Sequence, residues 1–536
     1  MAPGGVGGST PNGCMDRRLW PDIARRTRYR VAEPVGASAS VTNAMAGSLG
    51  IVPTKEIFMS NTRRPRIALL GAGSATFARR LIADVLSWPE LADGDIALMD
   101  VDQGRLDLIG PLAARMIRDL GVGARLTVTT DRKAALEGAD YVITTLAVGY
   151  AYEPDRPDVA IPEAHGLHQT VADTIGVGGV FRYLRTMPAL LEIGREMEQV
   201  CPHALWLNYV NPMAMIMWTI GKVLPGIRNV GLCHSVQGTA ERLAKFVGVD
   251  HTELSYQVAG INHQAWFLDL RLHTYRGEDL YPRLREALHD PVRYEQDRVR
   301  FEVMRHFGYF VTESSRHMAE YVPWFRRTAA DRERYTPELA SPGHTTHTPS
   351  PPHLDARSSQ GAPATSVTTA AGSLASVPAY RAPLWETIRQ QAAGEAPIDF
   401  VRSREYCSAI IRAVESGIPF RFNGNVPNTG LITNLPPGCN VEVPIFVDNA
   451  GLHPVHIGDL PAQLAGINRT NVNVQELAVQ GFLNRDREAI FQSCALDPLA
   501  SASAPIDTIR TMVDELFVAN AKWLDGYESR RAQSHG

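Results

Sequence analysis

Cys233 and His263, thirty residues apart, are the side chains of this sequence best suited to chemistry. Each closes an apolar run that reads as a β-strand, in Gly-Leu-Cys-His-Ser-Val-Gln at 231–237 and Ala-Gly-Ile-Asn-His-Gln at 259–264. A thiolate and an imidazole together can hold a divalent transition metal. Two protein ligands fall short of a structural zinc site, which takes four, but they leave positions open for substrate oxygens. Taken singly, each residue has an ordinary alternative: a buried Cys packs as a small hydrophobe, and a lone His is satisfied by its neighbours.

A second chemical feature lies upstream. The run Ile-Ala-Leu-Leu-Gly-Ala-Gly-Ser-Ala-Thr-Phe at 67–77 reads as a strand, a phosphate-binding turn and the start of a helix. Gly71 permits the tight turn, and Gly73 lets backbone N–H groups approach a pyrophosphate at the helix N-terminus, beside Ser74. Thr76 stands where a third small residue is usual, so the fingerprint is incomplete. Asp100 ends the next strand, twenty-nine residues after Gly71, where a carboxylate can accept the adenosine-ribose hydroxyls. A dinucleotide such as NAD beside a thiolate and an imidazole points to redox chemistry assisted by a metal.

The elements that must position these groups alternate. Strand signals at 66–71, 95–101, 125–130 and 140–147 are separated by helical patterns near 74–87, 104–119 and 131–138. That alternation predicts a parallel sheet with right-handed crossovers. A helix near 180–200, strands at 204–210 and 228–233, and a helix at 238–247 follow. The segment 256–272 reads as one long strand or a pair. Beyond it, 279–327 and 380–418 read as helical, 429–448 as a hairpin around Pro436-Pro437-Gly438, and 458–483, 485–495 and 505–525 as helices. The expected fold is α/β: a Rossmann-like dinucleotide-binding domain at 63–235, then an α+β lobe at 236–527, as in lactate and malate dehydrogenases. Residues 1–62 read as a disordered extension. Residues 341–378, rich in Pro, Ser, Thr and Ala, interrupt the second lobe and lack the apolar content to pack.

Composition excludes several classes. The 536 residues are 44% hydrophobic and 21% charged, ordinary for a globular enzyme, with a net charge of −4 that gives no nucleic-acid footprint. No apolar run approaches the ~18 residues needed to span a bilayer. The six cysteines form no CxxC pair and no disulfide framework, which suits a reducing cytoplasm.

Several motifs in order resemble glycoside hydrolase family 4, and within it the α-galactosidases. They are GAGSATF at 71–77, LMDVD at 98–102, QTVADTIGVGGVFRYLRT at 169–186, NYVNPMA at 208–214, GLCHSVQGT at 231–239, AGINHQAWF at 259–267, TESSRHMAEYVPWF at 312–325, NVPNTGLITNLPPGCNVEVP at 425–444 and HIGDLPAQLAGINRTNVNVQELAV at 456–479. The resemblance implies NAD and Mn2+ as cofactors, with Cys233 and His263 as the manganese ligands. It implies that Asn211 binds the sugar, that Asp173 lines the same cavity, and that Tyr321 is the general base, with Tyr309 as its rival. His234 matches a position that varies with substrate class, and His-Ser-Val there resembles the α-galactoside-cleaving group. The implied reaction oxidises sugar carbon 3, deprotonates carbon 2, eliminates the aglycone, adds water and returns the hydride, an exception to two-carboxylate hydrolysis. The partners implied are a small-molecule glycoside and further copies of the chain, as dimer or tetramer. An α-glucosidase or α-glucuronidase of the same family, an NAD-dependent hydroxy acid dehydrogenase, and a non-catalytic binding protein are the alternatives.

Overall fold

The computed structural model describes residues 64–75, 77–149, 156–337 and 382–527. Thr76, the 1–62 extension and the 341–378 insertion lie outside the described residues. The first half alternates as the sequence predicts: β1 (Arg66–Leu70), α1 (Phe77–Leu86), β2 (Asp95–Met99), α2 (Gln103–Leu120), β3 (Arg125–Thr129), α3 (Arg132–Leu136) and β4 (Tyr141–Thr144). There follow α4 (Pro157–Ala164), α5 (Gly176–Val200), β5 (Leu205–Asn208), α6 (Met213–Val223), β6 (Asn229–Gly231) and α7 (Ser235–Val247). These six strands pair in parallel in the order β3-β2-β1-β4-β5-β6. Fully buried runs such as Ala68-Leu69-Leu70 and Val142-Ile143 are what a sheet covered on both faces requires.

The second half continues the same sheet. β7 (Leu254–Ile261) and β8 (Gln264–Leu272) form an antiparallel hairpin, so 256–272 is a pair with a two-residue turn at Asn262-His263. Five short helices follow, α8 (Tyr281–Ala287), α9 (Pro291–Gln296), α10 (Arg298–Phe307), α11 (Ser315–Tyr321) and α12 (Ala329–Tyr335). Next come α13 (Ala382–Ala393), α14 (Cys407–Ser416), β9 (Phe420–Pro427), β10 (Asn440–Asp448) and β11 (Gly451–Pro454). The chain closes with α15 (Ala462–Asn484), α16 (Arg487–Ala495), α17 (Pro498–Ser503) and α18 (Ile506–Ala519). The order β6-β9-β10-β7-β8, with β11 on β10, completes an 11-stranded sheet. The two parts meet along one row, Gly231↔Asn425↔Glu442↔Gly260.

Three local expectations need correction. The hairpin placed at 429–448 is formed by β9 and β10, and Pro436-Pro437-Gly438 lies in the loop that joins them. Asn428 holds that loop, its amide donating to the carbonyls of Ile432, Leu435 and Pro436. Strand β9 escaped detection because Phe-Arg-Phe-Asn-Gly-Asn buries Asn423 and Asn425, which break the apolar alternation. Helix α6 was not expected either: Met-Ala-Met-Ile-Met-Trp-Thr-Ile is buried on all sides, so no amphipathic period marks it. Helix α4 begins at Pro157, a favoured first helical position, but carries a second proline at 162 that reads as a breaker.

Candidate active site

The nucleotide end is built by the turn after β1. Gly71 has φ +88°, and a Cβ there would lie 2.7 Å from the Leu146 backbone nitrogen, so a side chain is excluded by both conformation and space. Gly73 donates its N–H to Asp100 Oδ2 at 2.8 Å, and a Cβ on Gly73 would meet that same oxygen at 2.7 Å. Ser74 Oγ accepts the Phe77 N–H at 3.3 Å and so caps α1. The strand order reverses between β1 and β4, the switch point at which open α/β sheets bind ligands outside their strand ends. Gly71, Gly73, Ser74 and Asp100 are thus together at that edge.

Cys233 emerges from the C-terminal end of β6, and Asn211 from that of its parallel neighbour β5. Asn211 Oδ1 accepts the Met213 N–H at 3.2 Å at the start of α6. His263 lies in the β7–β8 turn with φ +60°, a region that L-residues avoid. Its Nε2 approaches Cys233 Sγ at 3.1 Å, and its Nδ1 lies 3.3 Å from the Tyr321 hydroxyl. The two expected ligands therefore meet, with the expected base against one of them. Tyr309, the rival, packs on Tyr281 instead, with ring centroids 5.9 Å apart.

The sequence reading missed a third donor. Glu313 Oε2 lies 3.8 Å from His263 Nε2, and the ligand atoms of Cys233, His263 and Glu313 all fall within 4.8 Å of one another. Glu313 has φ +74°, and its other oxygen lies 3.3 Å from His317 Nδ1. Its only signal was the position in Thr-Glu-Ser-Ser-Arg-His, two residues past the buried Val311. His317 was missed as well. It links Glu313 to Asp173, with Nε2 at 3.8 Å from Asp173 Oδ1, while Arg182 lies 3.6 Å from Asp173 Oδ2.

The electrostatics divide the acids. Burial alone would raise the Asp173 carboxyl, but Arg182, His317, His263 and the Thr174 hydroxyl outweigh it and hold Asp173 below the usual carboxylate range. Glu313 is likewise brought down to about 2 against its burial by His317, His263, His234 and Arg300. Burial lowers His317 to about 4, so its imidazole is neutral at pH 7. Burial, with Glu313 and Glu442, pushes the Cys233 thiol well up. Burial and the carboxylates of Glu320, Asp173 and Glu313 do the same to the Tyr321 phenol. Glu442, fully buried, has no hydrogen-bond partner for either oxygen among the described residues, and burial lifts it to about 8. His234 stays exposed at the start of α7, 3.6 Å from Glu405.

The donor set fits a divalent metal. A thiol, an imidazole and a carboxylate are fewer than the four ligands of a structural site and so leave coordination positions for other donors, and the carboxylate adds an oxygen donor of the kind that suits manganese. A cation is also what the raised thiol and phenol need to ionise. The nucleotide turn fits a dinucleotide, because no Cβ blocks the approach at Gly71 or Gly73.

This combination defines a class: an α/β protein with a dehydrogenase-like nucleotide fold whose sheet continues into a buried metal-competent cluster. The comparisons narrow it. Residues 66–249 match the family 4 glycosyl hydrolase model, and 258–500 match the family 4 glycosyl hydrolase C-terminal domain. The chain belongs to glycosyl hydrolase family 4 and is a glycosidase. The alpha-galactosidase of Bacillus subtilis (strain 168) is 39% identical over 466 residues, spanning 86% of this chain and 100% of that protein. The alpha-galactosidase of Rhizobium meliloti (strain 1021) is 36% identical, spanning 86% of this chain and 89% of that protein. Among solved structures, a 6-phospho-alpha-glucosidase from gut microorganisms in complex with NAD and Mn2+ has a TM-score of 0.67 at 18% identity, covering 86% of this chain and 99% of that one. The 6-phospho-beta glucosidase of Thermotoga maritima with manganese, NAD+ and glucose-6-phosphate has a TM-score of 0.66 at 19% identity, covering 85% and 99%. At those identities the structural likeness carries the fold alone. Among the described residues, no helix is long and apolar enough to cross a membrane.

Proposed function

We propose that this chain hydrolyses α-galactosides by oxidation, elimination and addition, using NAD and Mn2+ without net consumption of the nucleotide. The observation that carries the reading is the buried cluster of Cys233, His263, Glu313 and Tyr321. The α-galactosidase relatives support the substrate class, and NAD and Mn2+ in the structural neighbours support the cofactors. When bound, NAD+ supplies a hydride acceptor and Mn2+ a Lewis acid for the oxygens of an oxidised sugar.

The chain's own residues then have separate tasks. Gly71, Gly73 and Ser74 receive the pyrophosphate, and Asp100 takes the ribose hydroxyls. Cys233, His263 and Glu313 hold the metal. Tyr321 is the base for the proton on carbon 2; its hydroxyl lies 3.3 Å from the ring of His263, and a cation held by His263 would lower the raised phenol pKa. Asp173, kept anionic by the Arg182 guanidinium and flanked by His317, accepts hydrogen bonds from sugar hydroxyls. Asn211 binds the sugar from the neighbouring strand end, and the exposed His234 reads the sugar at the mouth. Assembly of copies and a cytoplasmic setting belong to the same reading.

The test is hydrolysis of p-nitrophenyl α-galactoside, α-glucoside and α-glucuronide, each with and without NAD+, Mn2+ and reductant. Galactoside cleavage that needs both cofactors, without NADH accumulation, is the expected result. Product formed in D2O should carry deuterium at carbon 2. Product without it would mean direct displacement at carbon 1 and would overturn the mechanism.

A further inference from the structure

Helix α15 buries a stripe of amides where a core helix ordinarily buries apolar groups. Asn468, Asn471 and Gln475 recur at helical spacing, and each is at most 1% exposed. A buried amide costs free energy unless it is hydrogen-bonded, so the bonds that are made say what the stripe is for; among the described residues Asn471 Oδ1 and Gln475 Oε1 have no partner. Asn468 donates to the Gln264 carbonyl at 2.8 Å and to Gln264 Oε1 at 3.1 Å, and accepts the Trp266 indole N–H at 3.1 Å. Asn471 donates to Gln264 Oε1 at 3.0 Å and to the Tyr321 carbonyl at 3.1 Å. Gln264 in turn points its Nε2 at Met318 Sδ, 3.8 Å away on α11.

The network therefore ties together two separate segments of the site. Gln264 directly follows His263 and closes the turn in which His263 has φ +60°. Tyr321 ends α11, and its hydroxyl must stay 3.3 Å from His263 Nδ1. A short antiparallel bridge joins β8 to residues 310–312, with the Phe267 N–H donating to the Phe310 carbonyl at 2.9 Å and the Thr312 N–H to the Ala265 carbonyl at 2.8 Å, but Tyr321 lies nine residues further on, at the end of α11. A carboxamide that bonds both fixes their relative placement.

We propose that Asn471, acting with Asn468 through Gln264, is a positioning residue that sets the His263–Tyr321 geometry. It thereby governs both metal affinity and proton removal from carbon 2. The inference rests on the metal and base roles proposed above. Outer groups that orient a ligand typically change metal affinity by about 10–100-fold when removed, and small misplacements of a catalytic group are felt strongly in rate.

The experiment uses the full chain stripped of metal, with Asn471→Leu, Gln264→Met and the double variant. Mn2+ and NAD+ affinities are measured by titration calorimetry, and Tm is read without metal. Turnover of p-nitrophenyl α-galactoside and of its carbon 2-deuterated form gives kcat, KM and the isotope effect. Each single variant should keep its NAD+ affinity, bind Mn2+ about 10-fold more weakly, and lose kcat more than KM changes, with a larger isotope effect. The double variant should be no worse than the worse single, because both break one network. Folded Asn471→Leu with wild-type Mn2+ affinity and isotope effect would overturn the proposal. So would unfolding of both single variants, which would make the stripe a stability element. If the wild type cleaves no glycoside, the function reading fails while the ratio of Mn2+ affinities still decides the positioning role.

Discussion

At the scale of single residues, the site is a set of groups whose charge states depend on one another. Cys233 is 6% exposed and its thiol is held protonated by burial and by Glu313 and Glu442. Serine keeps the size of cysteine but offers no thiolate to a metal. Cys233→Ser should therefore abolish Mn2+ retention and lower activity by at least about 100-fold, leaving Tm in the absence of metal nearly unchanged. Full activity at ordinary metal concentrations would sink the metal assignment. Glu313 is the group that separates a two-ligand site from a three-ligand one. Glu313→Gln keeps the shape and removes the charge, so Mn2+ should bind roughly 10–100-fold more weakly, while NAD+ affinity, measured by the same calorimetry, should hold.

At the scale of elements, caps and turns place the groups. Glu320 illustrates this: its buried carboxylate accepts the N–H groups of Thr170, Val171 and Ala172, and so fixes the loop that presents Asp173. Asp497 does comparable work at α17, accepting the Ala500 N–H at 2.8 Å, but its second oxygen is buried with no partner among the described residues. Burial raises its carboxyl to about 7. A carboxyl raised on folding contributes stability at pH values below its ordinary range, near 4, and that contribution is lost as pH rises toward 7 and beyond. Asparagine caps a helix as well as aspartate does and carries no charge. Asp497→Asn should flatten the fall in stability between about pH 4 and 7 and raise stability at pH 8 by on the order of 1–2 kcal/mol. Thermal unfolding across that range checks it, and an unchanged slope would refute it.

At the scale of the whole molecule, one sheet joins the nucleotide strands to the strands that carry the metal cluster. The row Gly231↔Asn425↔Glu442↔Gly260 is the seam, and Gly231 lies two residues before Cys233. A Cβ on Gly231 would sit 2.4 Å from Met213 Sδ and 3.0 Å from Asn425 Cβ. Methionine can yield, but the strand across the seam has less room. Gly231→Ala should cost about 1–3 kcal/mol of stability and weaken Mn2+ retention as well, because both parts of the sheet shift about Cys233. Loss of stability with unchanged Mn2+ affinity would show that the seam does not transmit strain to the cluster.

The sequence by itself determined the alternating half of the fold, because the continuous apolar runs of β1, β2 and β4, the alternation of the exposed edge strand β3 and the amphipathic period of helices such as α1 and α2 differ along the chain. It also marked Gly71, Gly73 and Asp100, whose chemistry is local to one strand–helix–strand unit, β1–α1–β2, and it marked Cys233 and His263 by residue type at strand ends. What it could not carry were properties that arise from distant segments meeting. Glu313 and His317 gained their importance from a buried cluster assembled where β6, the β7–β8 turn and α11 meet, and nothing in their neighbours along the chain announces that meeting. Helix α6 and strand β9 hid for the opposite reason: burial on every side in one, and buried amides in the other, erased the period that solvent normally imposes. The continuity of the sheet through Asn425 and Glu442 was likewise settled by tertiary pairing, since a backbone row across four strands is joined by hydrogen bonds that the order of residues does not specify.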